Sequence, residues 1–493
     1  MKIFRKLFDT KVSTSYMFIL FGISGLMLMG YFSYAWFTVQ GVQQYSVVTG
    51  TLNGTVAIGS NSVTINGTGV ITYTPSTDSD TITLTVTNTS DRTVKNSIYY
   101  YDLSDSSIKI GYTVDSPTIP EVTGVSVERG GILTYYIKIT GATGKQIKIG
   151  SSMGLNNSNL TLPVGTNAFE KLEPTGAENL IANANKEDLD YNTATDDQKN
   201  QMWKFSHDKT DQTEALTDYR YIGSSPNNYV TFNDEVWRII GVFDGKLKLI
   251  KNENIGTFSW DNKDTSTGAE TVYGKNDWTT ARLMKLLNPS DYYEVDSNDN
   301  NLGQSLYYNS ASGKCYRGQN NATVDCDFTS TGIKNDTTRN MIAETTYNLG
   351  GWNTFVVYPN EIYEYERGTT VYTGRTTTPW TGKIALAYPS DYGYAADLNQ
   401  CKQTLANYDN STCTSNNWMK SIITNNGSND GWLLTTYSSY SYIAGSVYSG
   451  GIVSGNRAYI LSYVAVPVLS LSSELGIESG GDGSSSNPYK LSA

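Results

Sequence analysis

The chain has 493 residues, enough for two or three domains with cores of their own. With 36 basic against 47 acidic residues its formal charge is -11, and no basic stripe exists to neutralise phosphates, which excludes a nucleic-acid partner. Only 17% of residues are charged; Thr, Ser, Asn, Gly and 37 tyrosines fill the rest, a mix suited to extracellular β-rich domains.

In chain order, residues 17–37 come first as an uncharged apolar run. As a helix, its 21 residues would span about 31 Å, close to the ~30 Å hydrocarbon core of a bilayer. Lys2, Arg5, Lys6 and Lys11 precede it and only Asp9 opposes them. The positive-inside rule then assigns 1–15 to a cytosolic tail, 16–38 to a transmembrane anchor and the remainder to the outside. A single-pass protein of the cell membrane is the resulting expectation. Ser33, Tyr34 and Ala35 allow a competing reading, a cleaved signal segment. The end of this run, Tyr34 to Thr38, resembles the signal segments of TasA/camelysin-type secreted matrix proteins.

Residues 45–155 read as an all-β stalk. Residues 81–87 alternate Thr with Ile, Leu and Val, the pattern of a half-buried strand. Residues 63–65 and 70–73, with Asn66 and Gly67 between them, predict a hairpin, and 132–139 and 146–149 predict later strands. With no helical period of useful length, an immunoglobulin-like antiparallel sandwich is expected. LTVTNTSDRTV, residues 84–94, is similar to strand-turn-strand pieces of the camelysin-type sandwich.

Residues 156–215 read as a polar linker, in which Thr195 and Gln198 form a capping box that opens a short helix through Trp203 and Phe205. From 216 to 493 the pattern is mixed α+β. Residues 229–232 and 236–240 predict a hairpin across Asn233 and Asp234, and Asp244 and Gly245 turn the chain into a third strand, 246–250. Thr279 or Thr280 would cap a helix carrying Leu283, Leu286 and Leu287 that stops at Asn288 and Pro289. A second helix is expected over 337–349, then glycine-punctuated strands from Trp432. A last strand through Tyr489 and Leu491 would follow the tether at 480–488.

Four cysteines allow three pairings. The short spacings suit local bridges between Cys315 and Cys326 and between Cys401 and Cys413, each stabilising by roughly 3 kcal/mol through loop entropy. No CxxC occurs and the only histidine, His207, is distant, so neither a metal nor a cofactor is expected.

The stretch 432–471 carries Tyr437, Tyr440, Tyr442, Tyr448, Tyr459 and Tyr463 among serines and glycines, with almost no charge. Tyrosine supplies rigid amphipathic contact area while Ser and Gly adapt around it, the composition of a binding surface. Catalysis needs titratable groups near neutral pH, and the stretch has none. A decorated set of β-strands is the plainer alternative.

The blocks VWRIIGVFDGKLKLI, NDWTTARLMKLLNP, IALAYPSDYGYA, GWLLT and VAVPVLSL occur in the same order as in a domain of surface proteins of gut Firmicutes. Residues 170–493 thus resemble the domain-of-unknown-function group 6273 and its Fibrobacter succinogenes major paralogous relatives. The resemblance implies a C-type-lectin-like fold. Those relatives often have a Trp-Trp-Leu-Arg-Ser-Pro-like block where this chain has Gly431 to Thr436, and an Arg-Pro where it has Val466 and Pro467. In the variable proteins that share that fold, ligand-facing residues lie in the last strands and loops. Matched positions are Tyr437, Tyr440, Tyr442, Tyr448, Asn456 and Tyr459, with Trp432 at the start of the block. Formylglycine-generating enzymes of the fold use a C-terminal cysteine pair, and none follows Cys413.

Other constellations are weaker. His207 beside Asp208 lacks a nucleophile, and residues 296–301 recur in hard oxygens but fail the calcium-loop pattern at Asn301 and Tyr307. Glu361, Glu364 and Glu366 have the chemistry of a glycosidase but no spacing that selects a pair. The expectation is a non-enzymatic surface protein that binds a glycan or protein through its Tyr/Ser-rich face. A fibre- or matrix-forming protein is second and an extracellular hydrolase third.

Overall fold

The structure, a computed structural model, describes residues 42–48, 54–58, 65–66, 68–75, 79–88, 93–103, 105–112, 124–155, 160–172, 175–261, 272–295, 303–317, 322–377, 379–473 and 475–492. It is 35% strand and 14% helical, so the mixed α+β expectation is corrected to a mostly β protein. The longest helix among the described residues, Pro359–Glu366, has 8 residues. Crossing a bilayer takes about 20, and among the described residues no helix is long and apolar enough to do so. The expected anchor at 16–38 lies outside them. The transmembrane helix, and with it the single-pass membrane location, is therefore not supported.

The chain divides into two compact units, residues 1–174 and 175–493. In the first, two six-stranded sheets share one core. One runs Val42–Val48, Thr68–Tyr73, Ile147–Leu155, Val94–Tyr101 and Thr166–Ala168, with Val125–Val127 also on Val94–Tyr101. The other runs Glu170–Lys171, Lys109–Tyr112, Ile132–Thr140, Ser79–Asn88, Gly54–Ile58 and Ile65–Asn66. The alternation along Ser79–Asn88 lands as the sequence pattern requires: Ile82, Leu84 and Val86 are buried and the intervening threonines are not. The expected hairpin across Asn66 and Gly67 does not form. Ile65–Asn66 pairs with Gly54–Ile58 in one sheet, whereas Thr68–Tyr73 pairs with Val42–Val48 and Ile147–Leu155 in the other.

The second unit is organised on a nine-stranded sheet. Its path is Ile384–Ala385, Val468–Ser470, Lys246–Lys251, Glu235–Phe243, Tyr229–Phe232, Tyr489–Ser492 and Gly476–Ile477. Both expected turns are present: Asn233 and Asp234 have φ of 59° and 57°, and Asp244 and Gly245 have 50° and 69°. Two consecutive left-handed residues match the twist of the strands they join. Tyr489–Ser492 is the expected last strand and pairs parallel with Tyr229–Phe232.

Thr195 and Gln198 form the expected capping box, but its helix covers only Asp196–Lys199. Trp203–His207 is instead a strand, paired with Leu216–Arg220, which in turn joins Glu235–Phe243. The helix Arg282–Leu287 begins at Ala281 with no side-chain cap; Asp277 caps the 3-10 turn before it. The helix expected over 337–349 shrinks to Asp336–Met341, because Ile342 bridges to Leu471 and Thr345–Tyr347 pairs with Trp380–Gly382. Both disulfides, Cys315–Cys326 and Cys401–Cys413, are formed.

Candidate functional site

The tyrosine-rich stretch forms a three-stranded sheet of Gly431–Thr436, Ile443–Val447 and Val453–Arg457. Its seven nominated residues divide sharply. Trp432 is core: it is 1% exposed and its indole N–H donates to the Phe258 carbonyl at 2.8 Å. Tyr437 turns inward, edge-on to Phe355 at 5.0 Å, over Gly455. A Cβ at Gly455 would lie 2.4 Å from the Tyr437 ring, so the glycine is there to admit the tyrosine. Tyr448 is half-buried and packs against the core. Asn456 donates to the Tyr463 hydroxyl at 2.8 Å.

The other three gather. Tyr440 is 48% exposed, and its ring lies 5.8 Å from that of Tyr442. Tyr442 lies 5.0 Å from Tyr273, and Tyr273 lies 6.0 Å from Tyr459. The exposed Arg457 places its guanidinium 4.1 Å from the Tyr273 ring centroid. The main chain holds this group together: the Tyr459 N–H donates to the Tyr273 carbonyl, and the Ser259 hydroxyl donates to the Tyr459 carbonyl. Sequence reasoning missed Tyr273, which is distant in the chain, and Arg457, which a search for Tyr and Ser passes over.

The loop that carries Tyr440 and Tyr442 is pinned from beneath. Asn276, 3% exposed, donates its side-chain amide to the carbonyls of Tyr437, Tyr440 and Ile443 at 3.1, 2.7 and 3.0 Å. The Ser441 carbonyl accepts from the Asn276 N–H at 2.8 Å and from Arg375 Nη2 at 2.7 Å. A loop held this way enters a complex with little ordering left to do.

A second constellation lies elsewhere in the unit and is electrostatic. Asp391 accepts from Arg220 Nη1 at 3.2 Å and from Lys248 Nζ at 2.5 Å; Asp218 accepts from Arg220 Nη2 at 2.7 Å. His207, read from sequence beside Asp208, instead directs Nε2 at Asp218 at 3.1 Å. Its ring stacks on Tyr363 at 3.7 Å. Arg367 covers Tyr363 at 3.4 Å and meets Glu366 at 3.4 Å. Burial works against the Asp218 and Asp391 carboxylates, yet their cations hold both below the usual range: chiefly Arg220 for Asp218, and Lys248 with Arg220 for Asp391. Burial lowers Lys248 and pushes Glu366 up to about 7, the latter opposed by Arg367 and by the Ser390 N–H and hydroxyl that bond it.

The three glutamates of the helix Pro359–Glu366 do not converge. Glu361 bonds the Tyr358 N–H in a capping box, Glu364 is exposed, and Glu366 is fully buried against Ser390. The acidic loop 296–301 lies outside the described residues. No protein-family model, curated protein or solved structure matches this chain.

Proposed function

We propose that this protein recognises a partner through the face formed by Tyr273, Tyr440, Tyr442, Tyr459 and Arg457, and that the partner is a protein. The observation that carries the reading is the pinned loop, in which Asn276 and Arg375 hold the carbonyls of Tyr437, Tyr440, Ser441 and Ile443. Tyr and Arg are the residues that dominate binding energy at protein interfaces, and a preformed loop spares the entropy of ordering them. A sugar face is a poorer fit to the outer rings, because Tyr440, Tyr442 and Tyr273 meet at interplanar angles of 50° and 52°, and only Tyr273 and Tyr459 within this face approach one plane, at 29°. Two disulfides suit an oxidising compartment. The resemblance to C-type-lectin-like surface domains, whose last loops face the ligand, agrees with this placement.

The test is a screen of the full chain against arrayed proteins and glycans beside a Tyr440→Ala/Tyr442→Ala/Arg457→Ala variant. Protein binding that disappears in a variant with unchanged circular dichroism supports the reading. Equal binding by both chains places the site elsewhere, and glycan-only binding replaces the partner class.

A further inference from the structure

A cleft of 440 Å³ opens over the buried charge network, in the size range of small-molecule sites. Its walls include Asp218, Lys248, Tyr347, Tyr363, Arg367 and Tyr388, residues far apart in the chain. The cations and their counter-charges are placed asymmetrically. Lys248 and Arg367 line the cleft, whereas the carboxylates that pair with them, Asp391 and Glu366, do not. Arg367 uses Nη1 for the Tyr363 carbonyl and Glu366, and its guanidinium is fixed by the stack Arg367, Tyr363, His207. The Tyr363 hydroxyl is buried with no partner.

Among the acidic lining residues only Asp218 is buried; the others are exposed, each beside a partner. Asp218 is held by Arg220 and His207, Glu214 by Lys209, Asp244 by Lys246, and Glu344 accepts from the Tyr292 hydroxyl. Lys246, Glu214 and Asp244 are more exposed than Lys248 and Arg367, so the cleft has solvated carboxylates at its rim and, at its floor, the buried cations Lys248 and Arg367 beside an Asp218 that Arg220 already neutralises. Such a site presents donors to an anionic group inside and acceptors to hydroxyl groups outside. We infer that the cleft binds a small carboxylate carrying hydroxyl groups, an acidic monosaccharide, with the carboxylate on Arg367 and Lys248. This inference goes beyond the tyrosine face and does not depend on it.

The network explains why a substitution must be chosen with care. Removing Arg367 alone leaves Glu366 buried beside no cation. The pair Glu366→Gln/Arg367→Gln removes the cation and its titratable partner together and leaves no carboxylate buried without a cation. Titration calorimetry of the full chain with D-glucuronate, D-glucose and L-glutamate is the experiment, run on parent, double variant and Tyr440→Ala/Tyr442→Ala. The expected result is glucuronate binding by the parent and by the tyrosine variant, no glucose binding, and about a 10- to 100-fold loss in the folded double variant, the effect of one charge-assisted hydrogen bond. If the double variant does not fold, Lys248→Met is read the same way. No glucuronate binding by the parent overturns the inference, as does unchanged binding in the folded variants; binding of glutamate without glucuronate overturns the sugar assignment. Loss of binding in the tyrosine variant alone overturns the placement in the cleft.

Discussion

Arg375 decides which way round Asn276 sits. Arg375 Nε donates to Asn276 Oδ1 at 3.2 Å, which leaves the amide nitrogen facing the carbonyls of Tyr437, Tyr440 and Ile443. Two protons then serve three acceptors across a loop more than 160 residues away in the chain. The side chain is a fastener for the tyrosine face, acting through its main-chain carbonyls.

Asn276→Ala is therefore expected to cost about 2–3 kcal/mol, several net hydrogen bonds lost together. Asn276→Asp should cost at least as much, since it sets carboxylate oxygens against three carbonyls. Urea denaturation measures both. A change under about 0.5 kcal/mol, the level of an ordinary surface substitution, would remove the fastener argument.

The nominated aromatic residues should separate by the same measurement. Trp432, fully packed and bonded to Phe258, is expected to cost about 3–5 kcal/mol as Trp432→Ala. Tyr440→Ala, at a half-exposed ring, should stay within about 0.5 kcal/mol of the parent. Equal costs would mean that Tyr440 belongs to the core and leave the face without its most exposed ring.

Local patterns were legible and long-range choices were not. The alternation in Ser79–Asn88, the turns at Asn233 and Asp244, the Thr195 capping box and both cysteine pairs each depend on a few neighbouring residues. The strands either side of Gly67 go to different sheets, a choice made by partners far along the chain. The helix expected over 337–349 is cut short because Ile342 pairs with Leu471. Arg220 and Asp391 meet across 171 residues, so no motif could announce the charge network. Composition nominated the tyrosine stretch but could not say that Tyr437 points in and Tyr440 points out.

The bridge Cys401–Cys413 closes a loop of 12 residues. Its loss in a Cys401→Ser/Cys413→Ser variant is expected to cost about 3 kcal/mol by loop entropy. Both cysteines are buried in the core around Met419 and Trp418, so the tyrosine face should be unaffected. A variant as stable as the parent in urea would show that the loop is ordered by its packing alone.

Glu366 gives the protein a stability that falls as the pH rises. Its ordinary value is 4.5 and burial lifts it to about 7 in the folded chain. The fold therefore favours the neutral acid: the contribution is fully present below pH 4.5 and is lost as the pH climbs through 7. Its upper size is about 3 kcal/mol, from the separation of the two values. Asp218 and Asp391 act in the opposite sense, because both are lowered in the fold; what they contribute is present above 3.8 and lost as the pH falls toward their folded values. Glu366→Gln keeps an acceptor for the Ser390 N–H and cannot titrate. Urea midpoints followed from pH 4 to pH 8 should decline across the interval from 4.5 to 7 in the parent and decline less in the variant. Parallel curves for the two proteins would show that Glu366 is ionised throughout, and that Arg367 and Ser390 together overcome its burial.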